Sequence, residues 1–402
     1  MTGLWYTFFE EIKGERLMGN GQLKKVFVAK VAEYDESIIK SEISAAFSSL
    51  GVDLSAFVGK KVVIKPNFIM KMSPDAAATT NPAVIGAVVS LLNDAGIRPV
   101  IAESPGGVYS AARLSAVYRT VGIADFPEKY DCELNLDVSK ETVNYPDGKT
   151  TKTFEIIKPI ADADVIFDVC KLKSHSLTKM SAATKNLYGT VPGLTKFELH
   201  AAYPDIGDFS SMLCDLASMI CEKKTVIAVT DAIIGMEGEG PTGGSPKKIG
   251  ALLVSESVFA SDVVAAKILG IDVPTVLNLS EAVSRGLVPA DIDGTDVLGA
   301  SPEEMTVSDF VLPRSQNVGV LEFFSKGKMG ELFRPRPYVT KTCRACGECV
   351  RSCPQHTINL SGGRARINAK KCIRCFCCQE LCPFKAIKTR RNPILNVISK
   401  IK

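Results

Sequence analysis

The chain has 402 residues, 46% apolar and 23% charged, with a net charge of +4. This is the balance of a globular protein of two or three domains, not of a disordered chain, a collagen or a coiled coil. No stretch reaches the roughly 18 apolar residues that a membrane-spanning helix needs, so no membrane span is expected.

Residues 1–25 fit no targeting class, because Glu10 and Glu11 interrupt the apolar Leu4, Trp5, Phe8 and Phe9 before a signal-peptide core forms. The cytoplasm is therefore the expected location. Lys13-Gly14-Glu15-Arg16 reads like a translated ribosome-binding site, which makes Met18 the expected start. From Val26 onward short apolar runs alternate with amphipathic stretches. Val26–Val31 is a predicted strand, and Glu36–Leu50 a helix with Ile39, Ile43, Ala46, Phe47 and Leu50 at helical spacing. Lys61–Lys65 is a strand stopped by Pro66. Asn81-Pro82 opens a helix, with Asn as cap and Pro in the first turn, that runs to Asp94-Ala95 and stops at Gly96. Pro99–Ala102, Val165–Val169 and Val226–Val229 are further strands, and Asp205–Cys221 and Ala260–Leu269 further helices. Residues 141–160 suggest an antiparallel hairpin around Pro146-Asp147-Gly148. The expected fold is α/β, a largely parallel sheet with helices on both faces over residues 26–300. Residues 301–338 read as a linker ending in the extended Arg334-Pro335-Arg336-Pro337, residues 339–390 as a small α+β domain, and residues 391–402 as a basic tail.

Four segments of the large domain are placed at predicted strand ends, where ligands bind in open α/β sheets. They are Lys65-Pro66-Asn67-Phe68, Lys171-Leu172-Lys173-Ser174-His175, Thr184-Lys185-Asn186-Leu187-Tyr188-Gly189, and Gly235-Met236-Glu237-Gly238-Glu239-Gly240-Pro241. Lys65, Lys171, Lys173 and Lys185, with Asn67 and Asn186, suit an anionic small molecule such as a carboxylate or phosphate. His175 and Glu237 are the expected proton handlers, with Lys185 as the third candidate catalytic side chain. Asp231 and Glu239 are further candidate acids, bases or metal ligands. The bland alternative is that each lysine snorkels from a sheet edge. Phosphate-loop, dinucleotide-loop and G-x-S-x-G signatures are absent, as are nucleic-acid motifs, so no nucleic-acid partner is expected. His175, His200 and His356 are the only histidines, too few for a multi-histidine metal site.

Nine of thirteen cysteines lie between Cys343 and Cys382. Cys343, Cys346, Cys349 and Cys353-Pro354 form one run, and Cys372, Cys375, Cys378 and Cys382-Pro383 repeat it. This is the run of bacterial two-cluster ferredoxins, in which the fourth Cys ligates the other cluster. The segment Val339–Arg390 resembles that domain. The resemblance implies two 4Fe–4S clusters, one on Cys343, Cys346, Cys349 and Cys382 and the other on Cys372, Cys375, Cys378 and Cys353. Two zinc sites are the alternative that the doubled run and both prolines disfavour. Cys377 breaks no spacing and reads as a packed thiol. Cys170, Cys214 and Cys221 read as core, and Cys132 has no assignment. The segment is also strongly basic. Residues 341–402 hold 14 Lys and Arg against Glu348 and Glu380, a charge of +12, which leaves −8 upstream. Two clusters at about −2 each reduce the +12 to roughly +8. Salt-dependent exchange with an acidic redox partner such as a ferredoxin or flavodoxin is expected.

The succession Lys-Pro-Asn-Phe, Lys-x-Lys-x-His, Lys-Asn-x-x-Gly and Glu-Gly-x-Gly-Pro, with the later Ser261-Asp262, resembles the family catalogued as domain of unknown function 362. Members often carry a two-cluster ferredoxin domain. The resemblance covers about Val62–Gly270 and singles out Lys65, Asn67, His175, Lys185, Asn186, Glu237, Gly240 and Asp262 without assigning them roles. The leading reading is an oxidoreductase of an anaerobe, in which the clusters exchange electrons with a site on the α/β domain that holds an anionic small molecule. The alternatives are an electron carrier or docking protein without its own substrate chemistry, and a non-redox enzyme whose clusters are structural or sensory. A flavin or other organic cofactor is compatible with the clusters, but no motif names one.

Overall fold

A computed structural model describes residues 23–313 and 335–390. The expected N-terminal extension up to residue 22, including its Met18 start, lies outside the described residues, as do residues 314–334 of the expected linker and the basic tail.

The α/β domain contains β1 Lys24–Lys30, β2 Val62–Pro66, β3 Val100–Ile101, β4 Glu133–Leu134, β5 Lys140–Asn144 and β6 Thr153–Ile157. They are followed by β7 Val165–His175, β8 Lys179–Ser181, β9 Thr225–Glu237, β10 Ser245–Ser255 and β11 Thr295–Gly299. Nine of these form one sheet in the order β11-β1-β10-β9-β7-β2-β3-β4, with β8 paired to β7. The run β9-β7-β2-β3-β4 is parallel, and β1 and β11 are parallel to each other. β10 is antiparallel to both β9 and β1. The sheet is thus mixed but largely parallel. β5 and β6 form the antiparallel hairpin expected around Pro146.

Period-two alternation along the central strands sends side chains to two separate cores. Ile64, Phe167, Val169 and Val229 pack under the helices Glu36–Leu50, Pro82–Asp94 and Ala111–Val121. Val63, Ile166, Cys170 and Ala228 pack under Ile206–Lys223, Val258–Ile268 and Leu277–Ser284. Helices therefore cover both faces. The first two helices have the local signals that define their ends. The Asp35 and Asn81 side chains accept first-turn N–H groups, and Gly51 closes the first helix in the left-handed region. Ile39, Ile43, Ala46, Phe47 and Leu50 are all buried, and each large apolar side chain so buried contributes about 1.5–3 kcal/mol.

Two boundaries differ from expectation. Residues 301–313 are not a free linker. Met305, Val307, Phe310 and Leu312 pack on the α/β core, and the Val307 N–H donates to the Ile268 carbonyl at 2.8 Å. Pro337 does not keep the chain unpaired either, because β12 already runs over Arg336–Val339, three residues earlier than the expected domain start. A proline is tolerated in such a short edge strand.

The small domain adds β13 Ile358–Ser361, β14 Arg364–Ile367 and β15 Ile387–Arg390, with β12 pairing β15 and β13 pairing β14, all antiparallel. The sequence duplication is also a conformational one. Ala345, Gly347 and His356 have positive φ, and so do Arg374, Phe376 and Lys385, each 29 residues later. The single-turn helices Glu348–Arg351 and Cys377–Glu380 keep the same offset.

Candidate functional site

The carboxyl ends of β2, β3 and β7 meet beside the turn Ala183–Asn186, and Asn186 sits at the centre of the meeting point. Its Oδ1 accepts from Asn67 Nδ2 at 2.8 Å and from Lys65 Nζ at 3.3 Å. Its Nδ2 donates to Asp168 Oδ1 at 2.8 Å. Lys65 forms a fully buried ion pair with Glu103 at 2.8 Å. Gly189 lies against this pair, and a Cβ there would collide with both Glu103 and Lys65. Asp262 accepts the backbone N–H groups of Ala183 at 2.7 Å and Thr184 at 3.1 Å, which holds the turn that carries Lys185. Lys173 Nζ donates to Asn67 Oδ1 and, at 2.7 Å, to the Ala78 carbonyl.

These groups open onto a cavity with about 620 Å³ of empty volume, part of it facing solvent. Asn67, Lys173, His175, Lys185, Asn186 and Lys196 supply its polar wall. Lys185 Nζ stands 4.5 Å over the Tyr188 ring and makes no hydrogen bond or ion pair among the described residues. It is the cation most available to a ligand. His175 Nδ1 accepts the N–H groups of Leu177 at 3.1 Å and Thr178 at 3.3 Å. That assigns the ring proton to Nε2, which faces the cavity. Burial, reinforced by Lys185 and Lys173, pushes the His175 pKa well down, so the ring is neutral near pH 7 and acts there as a hydrogen-bond donor. Burial likewise lowers Lys173 and Lys185, and brings Lys196 to about 7. On the acid side, burial raises Asp168 to about 8 and Asp262 to about 7. The Asn67, Asn186, Lys173 and Lys196 donors already have acceptors, and Glu103 and Glu380 also line the cavity, so Lys185 Nζ and His175 Nε2 are the donors open to a ligand among the described residues.

The opposite wall comes from the small domain. Glu380 and Leu381 line the cavity, and Leu381 and Cys377 pack with Met70 and Phe197 of the α/β domain. Thr242 donates its hydroxyl to the Glu380 carbonyl at 2.9 Å. Glu380 Oε1 lies 3.5 Å from His175 Nε2, is buried and has no hydrogen-bond partner among the described residues. Gly240 makes the preceding loop fit. Its carbonyl accepts from the N–H and hydroxyl of Ser176, and a Cβ at this position would collide with the Ser174 carbonyl.

Six expected side chains are thus brought together: Asn67, Lys173, His175, Lys185 and Asn186 at the cavity, and Lys65 directly behind it. Lys171 and Glu237 are not among them. Lys171 lies one pleat deeper in β7 than Lys173, opposite Asp231 of β9, in a triad with Asp231 at 3.0 Å and Tyr34 at 2.7 Å. Glu237 accepts the Val311 N–H at 3.0 Å at the far end of β9. The reason lies in strand length. The Lys171–His175 segment was expected after a strand but forms its second half, and β9 continues to Glu237. Lysines rarely occupy fully buried strands, and here each has a partner across the sheet. Sequence reasoning missed Glu103, Lys196, His200 and Glu380. Glu103 follows β3 and was findable by the rule that selected Lys65. Lys196 and His200, on the short helix Thr195–Ala202, carry no local signal. His200, its pKa lowered by burial to about 3, stacks on Phe209 at 4.2 Å.

In the small domain Cys343, Cys346, Cys349 and Cys382 line one cavity, and Cys353, Cys372, Cys375 and Cys378 line another, each with about 320 Å³ of empty volume. Among the described residues no three Cys, His, Asp or Glu side chains approach closely enough to hold a single metal ion. The thiols surround a space instead. Backbone N–H groups of Ala365, Thr357, Arg374 and Ala386 point at the sulfurs of Cys343, Cys353, Cys372 and Cys382 at 3.2–3.4 Å. Such donors stabilise cluster thiolates, so the residues fit an iron–sulfur group. Cys377 is buried in the contact with the α/β domain.

Residues 62–267 match the family model described as Domain of unknown function (DUF362), and residues 338–383 match the model described as 4Fe-4S dicluster domain. The thylakoid-associated protein sll1697 of Synechocystis sp. is 30% identical over 295 residues, which cover 72% of this chain and 88% of that protein. A ferredoxin of Pyrobaculum islandicum is 41% identical over 46 residues, 11% of this chain and 43% of the ferredoxin. The lactate racemase apoprotein from Thermoanaerobacterium thermosaccharolyticum is a structural neighbour at a TM-score of 0.31 and 15% identity, over 52% of this chain and 50% of that one. No helix of the described residues is long and apolar enough to cross a membrane.

Proposed function

The chain belongs to the DUF362 family and carries an iron–sulfur domain, and from this premise we propose that it is an oxidoreductase that binds an anionic small molecule in the cavity shared by its two domains. The observation that carries the reading is the shared wall. The segment Cys377–Leu381, which includes Cys378 of the second tetrad, closes the lysine cavity of the α/β domain.

Two 4Fe–4S clusters would be held by the two tetrads and would supply one-electron storage and transfer beside the cavity. The chain's own residues do the rest. Lys185 binds the ligand anion, and Lys173 and Lys196, held by the carbonyls of Ala78 and of Ser104 and Val191, complete the polar wall beside it. Asn67 and Asn186, held by Lys65 and Asp168, orient it. His175 donates its Nε2–H to a ligand oxygen on which negative charge builds, as a fixed neutral donor does in an oxyanion site. With Nδ1 tied to two backbone N–H groups, His175 is suited to hydrogen-bond donation and poorly suited to taking up a proton. Leu381, Phe197 and Met70 keep bulk water from this side of the cavity.

Ligand-dependent thermal stabilisation of anaerobically purified protein tests the reading, with a panel of small carboxylates and phosphates as probes. Lys185→Met retains the stem and removes the charge. A charge-assisted hydrogen bond is worth about 1.5–3 kcal/mol, so affinity should weaken roughly 10- to 100-fold while iron content stays the same. Unchanged stabilisation in this variant, or none by any probe in the parent protein, would remove the basis of the proposal.

A further inference from the structure

The small domain has an inner and an outer side. Its second tetrad faces the α/β domain, with Cys375 packed among the residues of the shared contact. The first tetrad opens outward, and Cys346 is exposed. Leu360 and Phe384 line the same cavity as this tetrad and are each 47% exposed. Among the described residues these two exposed apolar side chains beside Cys346 form a patch without a partner.

A basic rim surrounds it. Arg344 lines the cavity itself. Arg364 and Arg366 flank Ala365, whose N–H points at Cys343, and Lys385 precedes Ala386, whose N–H points at Cys382. All four cations are exposed. Among the described residues 335–390 the only acids are Glu348 and Glu380, and neither is free to balance this rim. Glu348 pairs with Arg351 at 2.7 Å and reaches Arg113 of the α/β domain at 3.9 Å. Glu380 is turned into the shared cavity. Among the described residues no carboxylate of the α/β domain pairs with these four cations.

We propose that this outer face, centred on Leu360, Phe384 and the first tetrad, is the docking surface for an acidic one-electron carrier protein. The inference rests on the electron-transfer reading above and adds the side from which electrons enter or leave. An apolar centre inside a charged rim is the anatomy of a specific interface, and a predominantly basic rim, whose one acid Glu348 is tied to Arg351, steers an oppositely charged partner. In one encounter the reduced carrier loses one electron and the chain gains one, or the reverse. No bond forms or breaks and no proton moves. The carrier is defined by two properties: a negative surface and one-electron chemistry, as in small acidic iron–sulfur or flavin carriers.

Binding is the primary readout, measured by calorimetry between the full-length holoprotein and a small acidic ferredoxin. Raising salt from about 0.1 M to about 1 M shortens the screening length from about 10 Å to about 3 Å. Affinity should fall at least tenfold over that range. The triple variant Arg364→Glu, Arg366→Glu, Lys385→Glu should bind at least tenfold more weakly at low salt, with iron content unchanged. Should the variant lose iron, the salt series on the unmodified protein still decides. Affinity that does not vary with salt would overturn the proposal. So would these cations governing binding to anionic phospholipid vesicles or to single-stranded DNA while the ferredoxin fails to bind. Reduction by methyl viologen radical separates the two readings, because it needs no acidic docking partner. Viologen-reducible protein whose ferredoxin binding ignores salt would end the docking proposal alone. Protein that viologen cannot reduce would end the electron-transfer reading itself.

Discussion

The eight thiols that line the two cavities of the small domain come from 40 consecutive residues, whereas the cavity beside them joins Asn67 to Asn186 across 119 positions. In the first case spacing along the chain and a repeated left-handed backbone create the site. In the second, three strands must pair in register before any two of its side chains meet. The two regions should therefore fail differently. The small domain is expected to depend on a bound iron–sulfur group, because so short a segment buries too little core to fold by itself. The cavity depends on buried polar pairs that a single substitution leaves uncompensated.

The largest effect is expected from Cys353→Ser. Iron should fall from about eight to about four atoms per chain, and the surviving signal should belong to the other tetrad. Loss localised to Cys343, Cys346 and Cys349, the neighbours of Cys353 in sequence, would contradict the crossed arrangement of the two cavities. Next comes Lys65→Met, which leaves Glu103 buried without its partner. We expect a loss of about 3–5 kcal/mol in urea unfolding of the α/β domain, with part of it recovered in the double variant Lys65→Met, Glu103→Gln. Stability within about 1 kcal/mol of the parent would mean that the pair does not brace the site.

A smaller effect is expected in the pH dependence. Burial raises Asp168 to about 8, so between pH 4 and 8 the folded protein holds a proton that the unfolded chain has lost. This contribution is full below the unfolded pKa of about 3.9 and is lost as pH rises towards 8, with a slope of at most about 1.4 kcal/mol per pH unit. Lys196, brought down to about 7, acts oppositely and only above that value, where the folded lysine is neutral and the unfolded one is charged. Asp262, raised to about 7, acts with Asp168, whereas His175 and His200, lowered by burial, act against both up to the unfolded histidine pKa of about 6.5, so the Asp168 share is read as the difference between parent and variant. Asp168→Asn, which keeps an acceptor for Asn186, should shift the pH 5 to pH 7 slope of the urea midpoint upward. An identical slope in the variant would assign it elsewhere. The smallest effect belongs to Glu237→Gln. Glu237 lies outside the cavity beside a half-open contact with Lys247 at 3.9 Å, so a change of about 0–1 kcal/mol and no change in ligand affinity are expected. A large loss of affinity would return this motif residue to the site.

What the sequence determined by itself was everything encoded within one or two turns of chain. The bounds of Glu36–Leu50 and Pro82–Asp94 follow from caps and apolar period, and the duplication from Cys spacing. The family motifs also pointed to the cavity side chains Asn67, His175, Lys185 and Asn186. Only the tertiary structure decided which strand ends meet. It kept Lys171 inside β7 and joined it to Asp231 of β9, because β7 continues as a buried strand where a loop was expected. It drew Glu103 and Lys196 to the cavity without a periodic signal. It also turned Glu380 inward and left Arg344, Arg364, Arg366 and Lys385 outside. The reason is common to all these cases. Cap and spacing signals act within a few residues, whereas a buried charge is placed by whichever partner the fold brings within hydrogen-bond distance, and that partner is set by register and domain contact rather than by neighbours in the chain.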